Sequence, residues 1–511
     1  MAARHINPII PGFAPDPSLC VADGTFFLVN STFHLFPGLP VYASKNLTEW
    51  KLIGNAVNRH GQLSLADTRT NIHELATGGN IVGTGGLYAP TIRYNNGTFY
   101  ILCTIVTHRD PPAKSHSFAN FILKTNDIYS GNWSDPIYFD FYAFDPSLFF
   151  DDDGRAYVHG AAMPGPETTI DIFEVDLKTG KKLTEQTTIW TGITKFFPEG
   201  PHIYKKDGYY YCLIAEDGTH EFHAVKIARS KTLMGPYESF EKNPLLSAAP
   251  GDYYQHIGHA ELFQDPTGEW WCVCLGVRKT AKGHFVLSRE TFLTQASWPE
   301  GDWPSIEPIK PNPERLAGQA KPQLLGGADE DELLFIREPG LRGYKRDGDT
   351  IMLKPSTLDF TYAVGTEPIS FVGRRQRRLD GVASVKLLSG VQGADLKAGL
   401  AYFKDEHRFI RLFYDFSTSE LCFDAVNASQ KFAESSKRSL ELVQGVELRV
   451  TYTELEYTCS FRPKGSEDWT QMATVDGLKM SDFDFVGPVI GVFAFGSASD
   501  TQVQFKGLQV D

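Results

Sequence analysis

Long apolar runs are missing from this chain of 511 residues. None approaches the ~18 residues that a membrane-spanning helix needs. The opening MAARHINPIIPGFAPDPS carries charge but lacks the apolar stretch of ~7–15 residues that marks a secretory leader. The expectation is an intracellular protein, or a secreted one whose leader has been removed. Cysteine is scarce: Cys20, Cys103, Cys212, Cys272, Cys274, Cys422 and Cys459. An odd count at irregular spacing builds no disulfide framework. Cys272 and Cys274, two apart in a strand-like run, share one face and read as core rather than metal ligands. HExxH, DxDxDG and paired-histidine spacings are also missing. Basic residues are in deficit, 49 against 62 acidic, for a net charge of −13. That argues against nucleic acid or an anionic membrane surface as a partner. Five Asn-x-Ser/Thr sequons, at Asn30, Asn46, Asn96, Asn132 and Asn427, would matter only in a secreted protein.

Aromatics and turn formers are abundant: 36 Phe, 21 Tyr, 8 Trp, 46 Gly and 30 Pro, with only 22% charged residues. This excludes a disordered, collagen-like or coiled-coil chain and favours short strands joined by tight turns. The length suggests two or three domains. A short unit recurs through the first 300 residues, a turn ending in Gly followed by aromatic or apolar strand residues: DGTFFLV from Asp23, NGTFYIL from Asn96, DGRAYVH from Asp153, DGYYYCL from Asp207 and TGEWWCV from Thr267. Asp-Gly and Asn-Gly between β-rich runs signal hairpins, because both central residues of a type I′ turn need positive φ. A second unit follows most copies (ASKNLTEW, KTNDIYSGNWSDP, ARSKTLMGPYES, SRETFLTQASW) and reads as a third strand, a turn and an edge strand. Four strands, five times over, predict a five-bladed β-propeller over residues 1–307.

Each hairpin glycine is preceded at nearly constant distance by another motif: APDPS (Asp16), LYAPT (Ala89), FDPSL (Asp145), PEGPH (Glu199) and IGHAE (His259). The separations are 8, 8, 9, 9 and 9 residues. These positions are equivalent, at the start of the innermost strand of each blade, and face one axis. One Asp-Pro alone would be a turn initiator. Three carboxylates in register are different: they repel and raise each other's pKa, so a fold with no use for them would not collect them. Two carboxyls flanking a glycosidic bond hydrolyse it, one as acid and one activating water or attacking carbon, while a third keeps the acid protonated. Phe33, Tyr88, Phe144 and Phe197 are candidates for sugar-stacking walls. No cofactor is needed for this chemistry; a single divalent cation such as calcium, held mostly by waters near His259 in the channel, is compatible with it.

NPIIPGFAPDPS, GLYAPTIR, FDPSLFFDDDG, FPEGPHIYKKDGYYY and GHAELFQDPTGEWW, in this order and spacing, resemble glycoside hydrolase family 43, which contains β-xylosidases and α-L-arabinofuranosidases. The resemblance runs from about Asn7 to Pro304. It implies that Asp16 is the general base, Glu199 the general acid and Asp145 the residue that orients the acid and raises its pKa, and that the anomeric carbon inverts. STFHLFPGLPVYASKNL resembles the subgroup's sugar-platform segment, with Phe33 facing the pocket. SRETF implies that Arg289 grips substrate hydroxyls, and His259 resembles a channel-floor histidine. Tyr88 stands where many members carry Trp. HELATGGN lies in an extended loop, Arg59 to Thr84, expected to narrow the pocket or mediate contacts.

Residues 308–327, rich in Pro, Gly and Lys, read as a linker. Beyond them, over 328–511, strong alternation predicts an antiparallel β-sandwich. It resembles the concanavalin-like sandwich that follows the propeller in xylosidases of this family, where a loop sets a Phe beside the pocket. Phe485 in DFDFVGP is the positional candidate, with Phe483 and Phe493 as neighbours. The expected function is exo-acting release of xylose from the non-reducing end of β-1,4-xylo-oligosaccharides, with arabinofuranosidase side activity. The competing expectation is mainly α-L-arabinofuranosidase activity on arabinoxylan. A homo-oligomer is compatible with either. A retaining fructan hydrolase is disfavoured because its WMNDPNG, RDP and EC motifs are absent. A non-catalytic lectin would need no set of three carboxylates.

Overall fold

The computed structural model describes residues 5–75, 79–108, 116–163, 167–316, 323–325, 332–338, 340–362, 367–388, 395–442, 444–497 and 501–511. Among the described residues the architecture is all-β, with only short 3₁₀ turns between strands. The first 306 residues form five antiparallel sheets. Their innermost strands are Ser18–Ala22, Thr91–Asn95, Ala143–Phe150, Glu199–Lys206 and Tyr254–Gln264. Each of these touches the next sheet, and the fifth returns to the first, so the sheets close a ring. The start of the chain seals it: Ile10 bridges Thr291 of the fifth sheet, and the Asn7 side chain donates to the Leu293 and Lys310 carbonyls.

The predicted hairpins are present, in two turn forms. Asp23-Gly24, Asn96-Gly97 and Asp207-Gly208 have positive φ at both residues, as type I′ requires. At Asp153-Gly154 and Thr267-Gly268 only the glycine does. There the loop is one residue longer. Gly154 N donates to Asp151 O inside a pair closed by Asp151 N and Arg155 O, and Gly268 N donates to Asp265 O in the same way. A type I turn followed by a left-handed glycine fits this length, so the type I′ expectation drawn from Asp-Gly and Asn-Gly is corrected at Asp153-Gly154.

Within the segment read as a linker, Gln323–Leu325 joins the first sheet by pairing in parallel with Glu49–Lys51. Beyond that segment, Phe335–Ile336 pairs with Leu35–Phe36 in a separate two-stranded sheet. Two further sheets, of seven and six strands, form the sandwich. Glu420–Asn427 and Val446–Tyr452 alternate between buried and half-buried residues, as strands with one covered face do. Leu396–Asp405 and Arg408–Asp415 are buried almost throughout. Their second face is covered by the propeller: Phe403, Phe409 and Phe413 share one core with Phe13, Phe33 and Leu35. The extended loop is a hairpin, Thr70–Glu74 against Asn80–Thr84, and the sandwich segment Phe483–Asp484 adds to it as a parallel third strand.

Candidate active site

The sites are made by distortions of the inner strands. Asp16, Asp145 and His259 are non-glycine residues with φ of 52°, 51° and 43°. The ladders slip at Asp145, Glu199 and His259, between Phe144 and Ser147, Glu199 and His202, and Gly258 and Glu261. Such bulges re-aim side chains, and left-handed backbone at bulky residues persists only where the surroundings impose it, which is a mark of functional sites. Here they turn the carboxyls toward the axis.

Asp16 is buried. Its Oδ1 accepts from Arg289 Nη1 at 3.0 Å, and its Oδ2 accepts from Ser31 Oγ at 2.6 Å. Asp145 Oδ2 accepts from Gly200 N at 3.1 Å. His259 Nδ1 lies 3.9 Å from both Asp16 Oδ1 and Asp145 Oδ2. Its ring sits against Gly200, where a Cβ would come within 2.8 Å of it, so only glycine after Glu199 leaves the imidazole its place. Glu199 is the most open of the three carboxyls, its side chain 15% exposed. Burial first, then the Asp16 carboxylate, push its pKa up to about 8, against the pull of Arg289. Asp145 is also pushed well up, by burial and then by Glu199 and Asp16. Burial lowers the His259 pKa, so the imidazole is neutral.

Arg289 ties the walls together. Nη1 also donates to Thr219 Oγ1 at 3.2 Å, and Nη2 donates to the Phe485 carbonyl at 3.0 Å. The guanidinium lies over the rings of Phe33 and Phe485, at 5.4 and 5.3 Å. Phe33, only 2% exposed, packs on Phe13, Tyr88 and Phe485. Tyr88 also meets Phe485 edge-on, and its hydroxyl faces His108 Nε2. Phe485 therefore stands beside Arg289. Phe483 stacks on His220 instead, and Phe493 is sandwich core. Phe144 lies against Phe118, and Phe197 against Phe196.

Farther along the axis, the Arg93 guanidinium pairs with Glu261 Oε1 at 2.5 Å and meets His202 Nδ1 at 3.0 Å. Calcium takes six to eight oxygen ligands. The groups around His259 offer imidazoles, an internal arginine cation, and carboxylates already engaged by Arg289, Ser31 and Gly200. Among the described residues no group of three or more His, Cys, Asp or Glu could hold a metal ion.

Sequence reasoning passed over Ser31, Thr219, His223 and Asp484. Ser31 and Asp484 lie inside the segments STFHLFPGLPVYASKNL and DFDFVGP, but nothing in their spacing marks them. Thr219 and His223 lie in a loop with no repeat counterpart.

Converging carboxyls, one held protonated at neutral pH and one paired with arginine at the mouth of a ring of sheets, define a glycoside hydrolase site. Residues 5–304 match the model of glycosyl hydrolases family 43, and residues 353–511 match that of the β-xylosidase C-terminal concanavalin A-like domain. The chain belongs to glycosyl hydrolases family 43. It is 32% identical to a non-reducing end α-L-arabinofuranosidase of Bacteroides ovatus, over 96% of this chain and 91% of that one. It is 40% identical to a xylosidase/arabinosidase of Butyrivibrio fibrisolvens, over 59% and 56%. The crystal structure of xylan β-1,4-xylosidase from Bacillus halodurans superposes with a TM-score of 0.86 at 26% identity, covering 98% of this chain and 99% of that one.

Proposed function

We propose that this hydrolase is exo-acting and inverting, and that it releases xylose from the non-reducing end of short β-1,4-xylo-oligosaccharides. The observation that supports exo-action is the wall on one side of the site. The hairpin Thr70–Thr84 and the sandwich segment carrying Phe485 join in one sheet beside Arg289. A site walled there takes a chain end rather than a chain middle.

Glu199 holds a proton at neutral pH and gives it to the glycosidic oxygen as the bond to the anomeric carbon breaks. Asp16, oriented by Arg289 and Ser31, takes a proton from the water that attacks the opposite face. Asp145 accepts from Gly200 N, fixing the backbone beside the acid, and the Asp16 carboxylate disfavours ionisation of Glu199. Arg289, Thr219 and His259 present polar groups to the sugar hydroxyls, and the Phe33, Tyr88 and Phe485 cluster backs them. The reaction draws acid and base from the chain itself, so no cofactor enters these steps.

One relative that matches over nearly the whole chain is named an α-L-arabinofuranosidase. That favours a second reading in which terminal arabinofuranose is the main substrate. Rates on nitrophenyl β-xyloside and nitrophenyl α-L-arabinofuranoside decide between them. Proton NMR of the first-formed anomer tests inversion, and a retained anomer would overturn it. Xylobiose as the first product from xylotetraose would reject the closed site.

A further inference from the structure

His223 is fully buried beside the site, on the loop between Glu216 and Ala224, and the mechanism above leaves it without a task. Its Nδ1 lies 3.2 Å from the His256 carbonyl oxygen. A carbonyl can only accept, so Nδ1 carries the hydrogen and Nε2 of the neutral ring is a bare lone pair. That Nε2 is buried with no hydrogen-bond partner. The polar atom it faces is Glu199 Oε1, at 3.6 Å. Leaving a buried acceptor unpaired is costly, so such a group calls for an explanation. The ring is also given a seat: a Cβ on Gly258 would lie 2.3 Å from its atoms, so the strand Tyr254–Gln264 admits this imidazole only because residue 258 is glycine.

We propose that His223 is a positioning residue for the acid: its Nε2 lone pair accepts from the protonated Glu199 carboxyl and repels the carboxylate, so that Glu199 keeps its proton until the leaving oxygen takes it. This rests on Glu199 being the acid. At 3.6 Å the pair is too long for a hydrogen bond, and catalytic contacts of this kind tighten when substrate closes the site. His223 neither gains nor loses a proton in the cycle. The proton passes from Glu199 to the departing oxygen as the glycosidic bond breaks, and Glu199 is left as carboxylate. The surroundings favour a neutral ring. Burial foremost, with His259 and Arg289 close by, depresses the His223 pKa to about 3, against Asp16 and the His256 carbonyl. His220 and His256, which flank it on its own loop and on the facing strand, are held neutral by burial as well.

The test is the pH profile of kcat/KM in three variants, each checked by thermal melting. His223→Asn keeps a donor near the Nδ1 place and removes the acceptor at Nε2. Its basic limb should move to lower pH by about one unit, a tenfold loss on the alkaline side. The loss should be smaller on a substrate whose leaving group needs no protonation. His223→Gln restores an acceptor oxygen near Nε2 and should recover most of the limb. Gly258→Ala, which displaces the ring without changing it, should shift the limb the same way as His223→Asn. A basic limb unmoved in both His223→Asn and Gly258→Ala overturns the proposal, as does an equal shift in His223→Gln. Should these variants not fold, ¹⁵N NMR of histidine-labelled wild-type protein decides, and an Nε2 that carries hydrogen at pH 6–8 overturns it. Glu199→Gln on both substrates separates the two levels. Equal losses remove Glu199 as the acid, whereas selective loss with an unmoved limb in the His223 variants removes only His223.

Discussion

At the scale of single residues, the three carboxyls differ in what surrounds them, and that difference sets their chemistry. Asp16 meets a guanidinium and a hydroxyl, whereas Glu199 meets mostly apolar burial and a neighbouring anion. Asp16→Ala and Glu199→Ala should each cut hydrolysis of oligosaccharides by ~10²–10⁴-fold. With a dinitrophenyl leaving group Glu199→Ala should lose far less than Asp16→Ala, and similar losses would reject the assignment. The same burial has a stability consequence. In the unfolded chain Glu199 ionises near its ordinary value of 4.5, whereas folded it keeps its proton to about 8. Between these values the unfolded state binds fewer protons, so this group lowers stability as pH rises through that window. Glu199→Gln should therefore melt higher than wild type at pH 8 and close to it at pH 4.5. A melting temperature unchanged at pH 8 would show that the carboxyl is not under this strain. Asp16, Asp145, Glu199 and His259 were readable in the sequence because they share one register with the hairpin glycines. The left-handed backbone that aims Asp16, Asp145 and His259 was not readable, since spacing carries no φ angle. Nor was His223, whose seat depends on a glycine 35 positions further along the chain.

At the scale of elements, the segment Asp482–Phe485 connects the halves of the protein. Asp484 is buried and accepts from Ser288 Oγ at 2.6 Å, and it also accepts from Lys404 and Arg408. Arg408 is held in turn by Asp405, and Asp482 by Asn427 and Ser429. Ser288 precedes Arg289, so the network fixes that arginine from behind while the Phe485 carbonyl fixes it from the front. The hairpin is fastened in the same way, with Thr70 N donating to Glu406 Oε1 at 2.7 Å. Asp484→Asn would leave two buried cations short of an anion, and breaking such a buried pair costs about 3–5 kcal/mol. The expected result is a lower melting temperature together with a raised KM, as Arg289 loses its backing. A variant with wild-type KM would show that Phe485 and Asp16 hold Arg289 unaided. The extended loop was recognisable as an insertion between repeats. Its pairing with a strand some four hundred residues away was not, because a two-residue strand leaves no periodicity to read.

At the scale of the whole molecule, two features act together. The first is a set of buried neutral histidines. His34, His108, His159, His223 and His256 are all depressed to about 3, mainly by burial. Their unfolded forms take up protons below about 6.5, so their contribution to stability is complete above that pH and is lost as pH falls toward 3. Melting temperatures should drop steeply from pH 6.5 to 4, and a flat profile there would contradict the buried neutral state. The second feature is the doubly covered sheet of the sandwich. Alternation along the strands predicted one buried face, and the sequence could not say that Leu396–Asp405 and Arg408–Asp415 bury the other against the propeller. That shared core takes in Phe13 and Phe33 on the propeller side and Phe403 and Phe409 on the sandwich side. A chain ending near Pro311 would lose this cover, the strand Gln323–Leu325, the anchors of the hairpin, and the Phe485 carbonyl that holds Arg289. It would expose a contiguous apolar patch of the kind that drives association. Such a truncated chain should self-associate on size exclusion and lose most of its kcat/KM even in the fraction that stays monomeric. The second loss distinguishes the two roles of the sandwich, because solubility alone could be restored by polar substitutions on the exposed patch. If the truncated chain ran as a sharp monomer with wild-type kcat/KM, the sandwich would be a mere neighbour of the site, and the Arg289 arrangement would have to arise within the propeller.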